Sequence, residues 1–285
     1  MKKNILIIGI SLLVNFQVFS QEASEVDTIV YKKVDTTSLI MKVIYPPVME
    51  KSKKYPAMVF FFGGGWKFGS ISQFELQARY FAKRGIVCFL ADYRVESRHG
   101  TYVKESIMDA KSAIRYIRAN AKTFQLDGNK IIASGGSSGG HLAASTAMIS
   151  GYNDQNDNIS ISPIPNALVL FNPALDLLLS SAFTKVGDEY KQISPLHNLK
   201  EGLPPTIIFH GTADTSVPIE SIQYFQVASN RLGNRSELNL YEGQEHGFFN
   251  FSRSEDNYKK TVFETDKFLN SLGYLDGVPT IMDEK

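Results

Sequence analysis

Residues 130–144 read Lys130-Ile131-Ile132-Ala133-Ser134-Gly135-Gly136-Ser137-Ser138-Gly139-Gly140-His141-Leu142-Ala143-Ala144. A short apolar run stops abruptly at a Gly/Ser cluster, and a small-residue run compatible with helix follows. The order predicts a strand, a very tight turn and a helix, with a serine at the apex. Such a turn brings strand and helix so close that its neighbours must be small. Gly135-Gly136-Ser137-Ser138-Gly139 fits the pattern G-x-S-x-G. Shifted by one residue, Gly136-Ser137-Ser138-Gly139-Gly140 fits it too. The strand ends near Ser134 and the turn needs about two residues before its apex, which favours Ser137 over Ser138. A Gly/Ser loop without chemistry is the alternative, so the rest of the chain has to decide.

Upstream, residues 28–34 and 39–45 both read as strands around a polar Asp35-Thr36-Thr37 turn, predicting an antiparallel hairpin at a sheet edge. Residues 57–62 are apolar throughout, as in a central strand buried on both faces. Residues 86–91 form a second such strand, after a helix over 73–83 closed by Gly85. Val103, Ile107, Ala110, Ile114 and Ile117 recur at helical spacing and make one apolar stripe over 102–120, with Lys104, Lys111, Arg115 and Arg118 off it. Downstream, strands are predicted at 167–171, 206–209 and 237–241, and helices at 140–149, from Pro218 to Gly233, and at 258–272. Residues 151–165 are a polar loop. Residues 172–205 are irregular and read as a small lid-like insertion, with Leu177, Leu178, Leu179 and Phe183 as its apolar part. From Ala57 onward strands and helices alternate, which implies an α/β fold with a mostly parallel central sheet and helices on both faces. Ligands bind such sheets outside the carboxyl ends of the strands. The loops at 63–66, 135–140, 211–214 and 243–247 all follow strand ends and so converge on one edge.

A serine hydroxyl needs a base to take its proton, and the base needs an anion to orient it. Of five histidines, His99 lies in a polar loop, His141 on the helix after the serine, His197 in the insertion and His210 at a strand end. His246 sits in the Gly-flanked loop after the last strand. It alone gives the chain order serine, acid, histidine with a carboxylate on the preceding strand's loop. That acid is Asp214; Asp176 and Glu245 compete, one a strand too early and the other too close to His246 in sequence. Gly63-Gly64-Gly65 can offer backbone N–H groups to a developing oxyanion, and the N–H of Ser138 can add another.

From about residue 56 to 272 the chain resembles an α/β-hydrolase of the hormone-sensitive-lipase-like esterase type, near the secreted bacterial carbohydrate-esterase branch. The resemblance rests on Phe62-Gly63-Gly64-Gly65-Trp66, Ala91-Asp92-Tyr93-Arg94, residues 135–142 (whose Ser137–Ala143 run is similar to the family's S-A-G-G-[NH]-L-A), residues 210–218 and 242–248. It implies a Ser137–His246–Asp214 triad, an oxyanion hole of Gly64, Gly65 and Ser138, and no metal or cofactor. One position departs: the family usually carries a histidine before the glycines, where this chain has Phe62. The large N-terminal cap also has no room between Gln21 and Tyr55, so an open cleft suited to a bulky or polymeric alcohol is expected. The resemblance implies a serine esterase acting on acetyl or feruloyl esters of carbohydrates, as small molecules or polysaccharides. A serine peptidase of the prolyl-oligopeptidase kind would carry a propeller, and a lipase a broader apolar lid. A binding module on an inactive hydrolase scaffold would be expected to have lost part of the triad.

The first twenty residues have their own signature. Lys2 and Lys3 precede an apolar run from Ile5 to Val14, and Val18-Phe19-Ser20 offers acceptable residues for cleavage before Gln21. This predicts a signal peptide at 1–20, export to the periplasm or beyond, and a single domain over 21–285. The run is short for a membrane span, so no stable membrane insertion is expected after cleavage. The formal net charge of +1 gives no reason to expect a nucleic-acid partner. The single cysteine, Cys88, lies inside an apolar strand and is expected to be a reduced core residue.

Overall fold

The computed structural model describes residues 25–179 and 186–283. The predicted signal segment and residues 180–185, with Phe183, lie outside them. Eight strands form one sheet: β1 (Val26–Val34), β2 (Thr37–Ile44), β3 (Tyr55–Phe61), β4 (Val87–Ala91), β5 (Leu126–Gly136), β6 (Ala167–Phe171), β7 (Thr206–Gly211) and β8 (Ser236–Tyr241). Their spatial order is β1-β2-β4-β3-β5-β6-β7-β8. The hairpin β1–β2 turns at Asp35, whose φ of 49° is one that aspartate tolerates better than most residues. β2 joins β4 antiparallel, with Met41 opposite Ala91. Every pairing from β4 to β8 is parallel.

Side-chain alternation explains why the inner strands are apolar at every position. On β3, Val59 and Phe61 enter one core while Met58 and Phe60 enter the other. The first core is covered by α3 (Val103–Ala119), through Ile107, Ile114 and Ile117, and by α4 (Ser138–Met148), through Leu142. Ile222 and Phe225 of α6 (Ile219–Arg231) join it farther along. The second core is covered by α1 (Glu75–Lys83), through Phe81, and by α7 (Glu255–Ser271), through Val262 and Phe268. Two further α-helices among the described residues are single turns, α2 (Glu96–His99) and α5 (Tyr190–Ile193). Cys88 is buried and free, and burial pushes its thiol pKa well up.

The chain runs from β3 to β4 on one side, then crosses β3 to place β5 on the other. The sheet's switch point therefore falls between the carboxyl ends of β3 and β5, where Phe61 pairs with Gly135. The glycine loop after β3 and the serine turn after β5 leave the sheet side by side.

One expectation needs correction. β5 starts at Leu126, four residues before the expected start at Lys130, because Leu126 pairs with Tyr55 across a bulge. On α3, Lys111 and Arg115 lie off the apolar stripe, yet both are buried. Lys111 Nζ donates to the carbonyls of Ile149 and Gly151. Arg115 donates to Ile161 O (2.9 Å), Asp157 (2.7 Å) and Asn153 (2.7 Å). The polar loop at 151–165 thus packs over this face of α3, and its carbonyls and carboxylates satisfy the cations. Lys104, by contrast, is exposed.

The described part of residues 172–205 packs on α4. Ile193 O accepts a hydrogen bond from His141 Nε2 at 2.7 Å, and Ser194 Oγ joins Leu175 O and Leu177 N–H.

Candidate active site

Ser137 sits between β5 and α4 with φ 54° and ψ −118°, a conformation that costs a non-glycine residue of order 1–3 kcal/mol. The surroundings hold it there. Its N–H donates to Phe171 O at 2.9 Å, and its carbonyl accepts from His141 N–H at 3.0 Å. The glycines around it are steric necessities: a Cβ on Gly139 would lie 2.0 Å from Phe61 O, and one on Gly135 2.4 Å from the Gly139 carbonyl. Helix α4 begins directly against the end of β3, and that close approach drives the serine outward.

Three sequence-predicted residues meet here. Ser137 Oγ lies 2.9 Å from His246 Nε2, and His246 Nδ1 lies 2.7 Å from Asp214 Oδ2. Asp214 Oδ1 accepts from the N–H groups of Ser216 (2.8 Å) and Val217 (2.9 Å), so the carboxylate is held from both ends. Its side chain is fully buried, while His246 is 27% exposed toward the cavity. Burial by itself raises the Asp214 pKa. The hydrogen bond and charge of His246, with the Val217 N–H, outweigh it and hold the carboxyl below its ordinary range. An ionised Asp214 accepts from Nδ1–H, which leaves the Nε2 lone pair to receive the Ser137 proton.

The rival residues are placed elsewhere. Ser138 is 1% exposed and is not on the cavity wall, so the turn presents Ser137. Asp176 accepts from Leu178 N–H at 3.0 Å, and Glu245 is exposed. His210 is buried, donates toward Val217 O at 3.0 Å and stands 3.8 Å from Asp214 Oδ2; burial holds its pKa down against the carboxylate. His141 is fully buried against Ile193 O, and burial pushes its pKa down to about 4. His99 Nδ1 accepts from Val95 N–H within α2.

The glycine loop turns at Gly64 (φ 134°) and Gly65 (φ 63°), with Lys67 N–H closing onto Gly64 O at 3.1 Å. A Cβ on Gly64 would lie 2.1 Å from Phe68 O. Among the described residues, the N–H groups of Gly64 and Gly65 have no hydrogen-bond acceptor. Ser138 opens α4, where the first N–H groups have no intrahelical acceptor.

Phe62, in the place of the expected histidine, stacks on Tyr93 with ring centroids 4.1 Å apart, and Tyr93 OH donates to Phe62 O at 2.7 Å. The polar support of the loop comes instead from Gln73. Its Oε1 accepts from Gly63 N–H at 2.7 Å, and its Nε2 donates to Asn250 Oδ1 at 3.1 Å. Asn250 Nδ2 then donates to Gly247 O (2.8 Å), and Gly247 N–H donates to Asn172 Oδ1 (3.1 Å). A hydrogen-bonded chain thus links the glycine loop to the His246 loop. Sequence reasoning missed Gln73, Asn172 and Asn250. Only Asn172 had a signal, as a polar residue at a strand end on the same edge.

The site opens into a cavity of about 730 Å³ whose wall includes Gly64, Gly65, Ser137 and His246. Of residues 172–205, only Asn172 reaches it among the described residues, and Leu178 and Leu179 are exposed elsewhere. No group of acidic, histidine and cysteine side chains among the described residues could hold a metal ion.

A family profile described as BD-FAE matches residues 43–228, more than half of the chain. The chain belongs to the BD-FAE family. This is a family of α/β-hydrolase esterases. Thermogutta terrifontis esterase 2, in its butyrate-bound structure, is 44% identical with a TM-score of 0.84, over 90% of this chain and 98% of that one. The isoprenylcysteine alpha-carbonyl methylesterase ICME of Arabidopsis thaliana is 30% identical over 216 residues, 67% of this chain and 50% of that protein. An acetylxylan esterase of Xylanibacter ruminicola is 29% identical over 202 residues, 65% of this chain and 39% of that protein. The chain spans about half or less of the curated relatives it matches, but nearly the whole of the solved esterase.

Proposed function

We propose that the chain is a serine carboxylic-ester hydrolase whose catalytic residues are Ser137, His246 and Asp214. The observation that carries this reading is the unbroken relay from Ser137 Oγ through His246 to Asp214, at 2.9 and 2.7 Å, opening on a cavity lined also by Gly64 and Gly65, whose N–H groups have no acceptor among the described residues. Ser137 Oγ attacks the ester carbonyl carbon as His246 Nε2 takes its proton. The carbonyl oxygen gains negative charge, and the N–H groups of Gly64, Gly65 and Ser138 receive it. His246 returns the proton to the leaving alcohol, and an acyl group remains on Ser137. Water, deprotonated by the same imidazole, attacks the acyl carbon and releases the acid. Asp214 holds the imidazole tautomer and offsets its transient positive charge.

The substrate reading is a short-acyl ester of a carbohydrate. The relative bound to butyrate supports the short acyl group, and the acetylxylan esterase supports the sugar. Ser70, Ser72, Ser216 and Asn250 give the cavity wall hydroxyl and amide groups, and Phe68, 62% exposed, offers an aromatic face. The exposed leucines Leu178 and Leu179 lie off the cavity wall, which does not favour a lipid-binding lid. The basic, apolar start of the chain supports an exported enzyme. Hydrolysis of p-nitrophenyl acetate, butyrate and octanoate and of acetylated xylan tests this reading. It predicts acetyl and butyryl turnover and acetate release from xylan; preference for octanoate with none from xylan would overturn the substrate assignment.

A further inference from the structure

The charges on the cavity wall are one-sided. Lys67, on the glycine loop after β3, and Arg253, beyond the His246 loop after β8, both belong to the wall, and among the described residues no aspartate or glutamate does. Both cations are exposed. Among the described residues neither side chain has an ion pair, a hydrogen bond or an aromatic partner. Elsewhere on the surface the described cations are commonly paired: Arg98 with Asp92 at 2.6 Å, Arg235 with Glu237 at 2.7 Å, Lys260 with Asp256 at 2.6 Å. Asp214, the acid of the relay, is buried and already paired with His246. Two unpaired cations on different loops therefore share the cleft with neutral hydroxyl, amide and aromatic groups.

A wall of this kind raises the local concentration of anions and disfavours cations. A short acyl group bonded to Ser137 needs little of a cavity of about 730 Å³, so the rest of the wall, with both exposed cations, is left to the larger, alcohol side of the ester. Resting on the esterase reading above, we propose that the preferred substrates are esters whose alcohol part carries a carboxylate, as in acetylated polysaccharides bearing acidic sugar units. Lys67 and Arg253 are then specificity-determining residues: they select the charged alcohol and take no part in bond making.

A matched pair of small esters tests this. In 4-acetoxybenzoate and 4-acetoxybenzamide the acetyl group and ring are shared, and a carboxylate on the leaving side is replaced by a neutral amide. Each exposed charge pair gives at most a few-fold, so together they predict about a fivefold to tenfold lower KM for the benzoate at low ionic strength. The advantage shrinks as NaCl rises to about 0.5 M, where the screening length falls to a few ångströms. In the double variant Lys67→Gln/Arg253→Gln the benzoate-to-benzamide ratio of kcat/KM falls by the same factor, and Lys67→Arg/Arg253→Lys retains most of it. Acetylated xylan with and without acidic side units extends the comparison, the acidic polymer being deacetylated faster. A ratio that is the same in the native protein and the double variant, and indifferent to salt, would overturn the proposal. If neither small ester is hydrolysed at all, the esterase reading itself fails, and the two failures are thereby distinguished.

Discussion

Two regions of this molecule gather charged and polar side chains, and they differ in what is left over. Beneath α3, buried Asp109 accepts from Lys32 Nζ at 2.7 Å, from Arg94 Nε and Nη2 at 2.8 Å each, and from Arg94 N–H at 3.0 Å. Lys32 also pairs with Asp154 at 2.8 Å. Every lone pair of Asp109 has a donor, so the cluster can only hold β1, the segment after β4 and α3 together. At the carboxyl edge of the sheet the same kinds of groups are arranged with capacity to spare. Asp214 is as thoroughly held as Asp109, but it holds an imidazole that in turn faces a hydroxyl and a cavity. On the wall of that cavity, Gly64 and Gly65 have N–H groups with no acceptor among the described residues. A cluster of ionisable residues is therefore not yet a site; unsatisfied hydrogen-bonding groups that face open space are what make one.

The sharpest way to break this contrast is to remove the apex. Ser137→Ala is expected to lower kcat on p-nitrophenyl butyrate by about 10⁴-fold or more, roughly 5.5 kcal/mol of barrier, with the far-UV circular dichroism unchanged. Ser138→Ala should stay within about tenfold, since only its backbone N–H is used. The reverse result would move the nucleophile by one residue. At the other cluster, Asp109→Ala leaves buried Arg94 without its counter-charge and Lys32 with Asp154 alone, and should cost about 3–5 kcal/mol in urea unfolding. The folded fraction should hydrolyse the ester with native kcat. A drop in kcat without a drop in stability would erase the distinction between the regions.

Those variants probe features of unequal visibility in the sequence. The fold was legible because its signals are local: apolar runs on inner strands, a stripe on α3, glycines at Gly135, Gly136, Gly139 and Gly140. The meeting of Ser137, Asp214 and His246 was legible because their order along the chain and the parallel sheet together bring strand-end loops to one edge. The supports were not. Gln73 and Asn250 are 177 residues apart and meet only in the folded molecule. Nothing local marks a glutamine just ahead of α1 as a partner for Gly63 N–H. The burial of Lys111 and Arg115 was not legible either. They lie off the apolar stripe, but a distant loop covers them with acceptors.

Two smaller effects sharpen the contrast further. His141 is buried as the neutral imidazole, with its pKa pushed from 6.5 down to about 4. Below pH 6.5 the unfolded chain binds a proton that the native state refuses. Stability should therefore fall as the pH drops from about 6.5 to 4, by up to about 3 kcal/mol from this group alone. Urea midpoints across that range should show the slope in the native protein and a shallower one in His141→Gln. An unchanged slope would show that His141 is not buried neutral. Gln73→Leu removes the acceptor of Gly63 N–H and should lower kcat about tenfold, near 1.4 kcal/mol, with KM moved less. Gln73→Glu keeps that acceptor and should recover part of the loss; equal loss in both would show that the contact does not position the loop.

The central claim is that one serine, at the strained turn after β5, becomes covalently attached to the electrophile. Treatment with paraoxon, followed by peptide mass spectrometry, reads this directly. Ser137 Oγ displaces p-nitrophenolate from phosphorus, and one diethylphosphoryl group remains. The account predicts a single modification on Ser137 in stoichiometric yield with matching loss of esterase activity, present in Ser138→Ala and absent in Ser137→Ala. Modification at Ser138, or activity loss with Ser137 unlabelled, would contradict it.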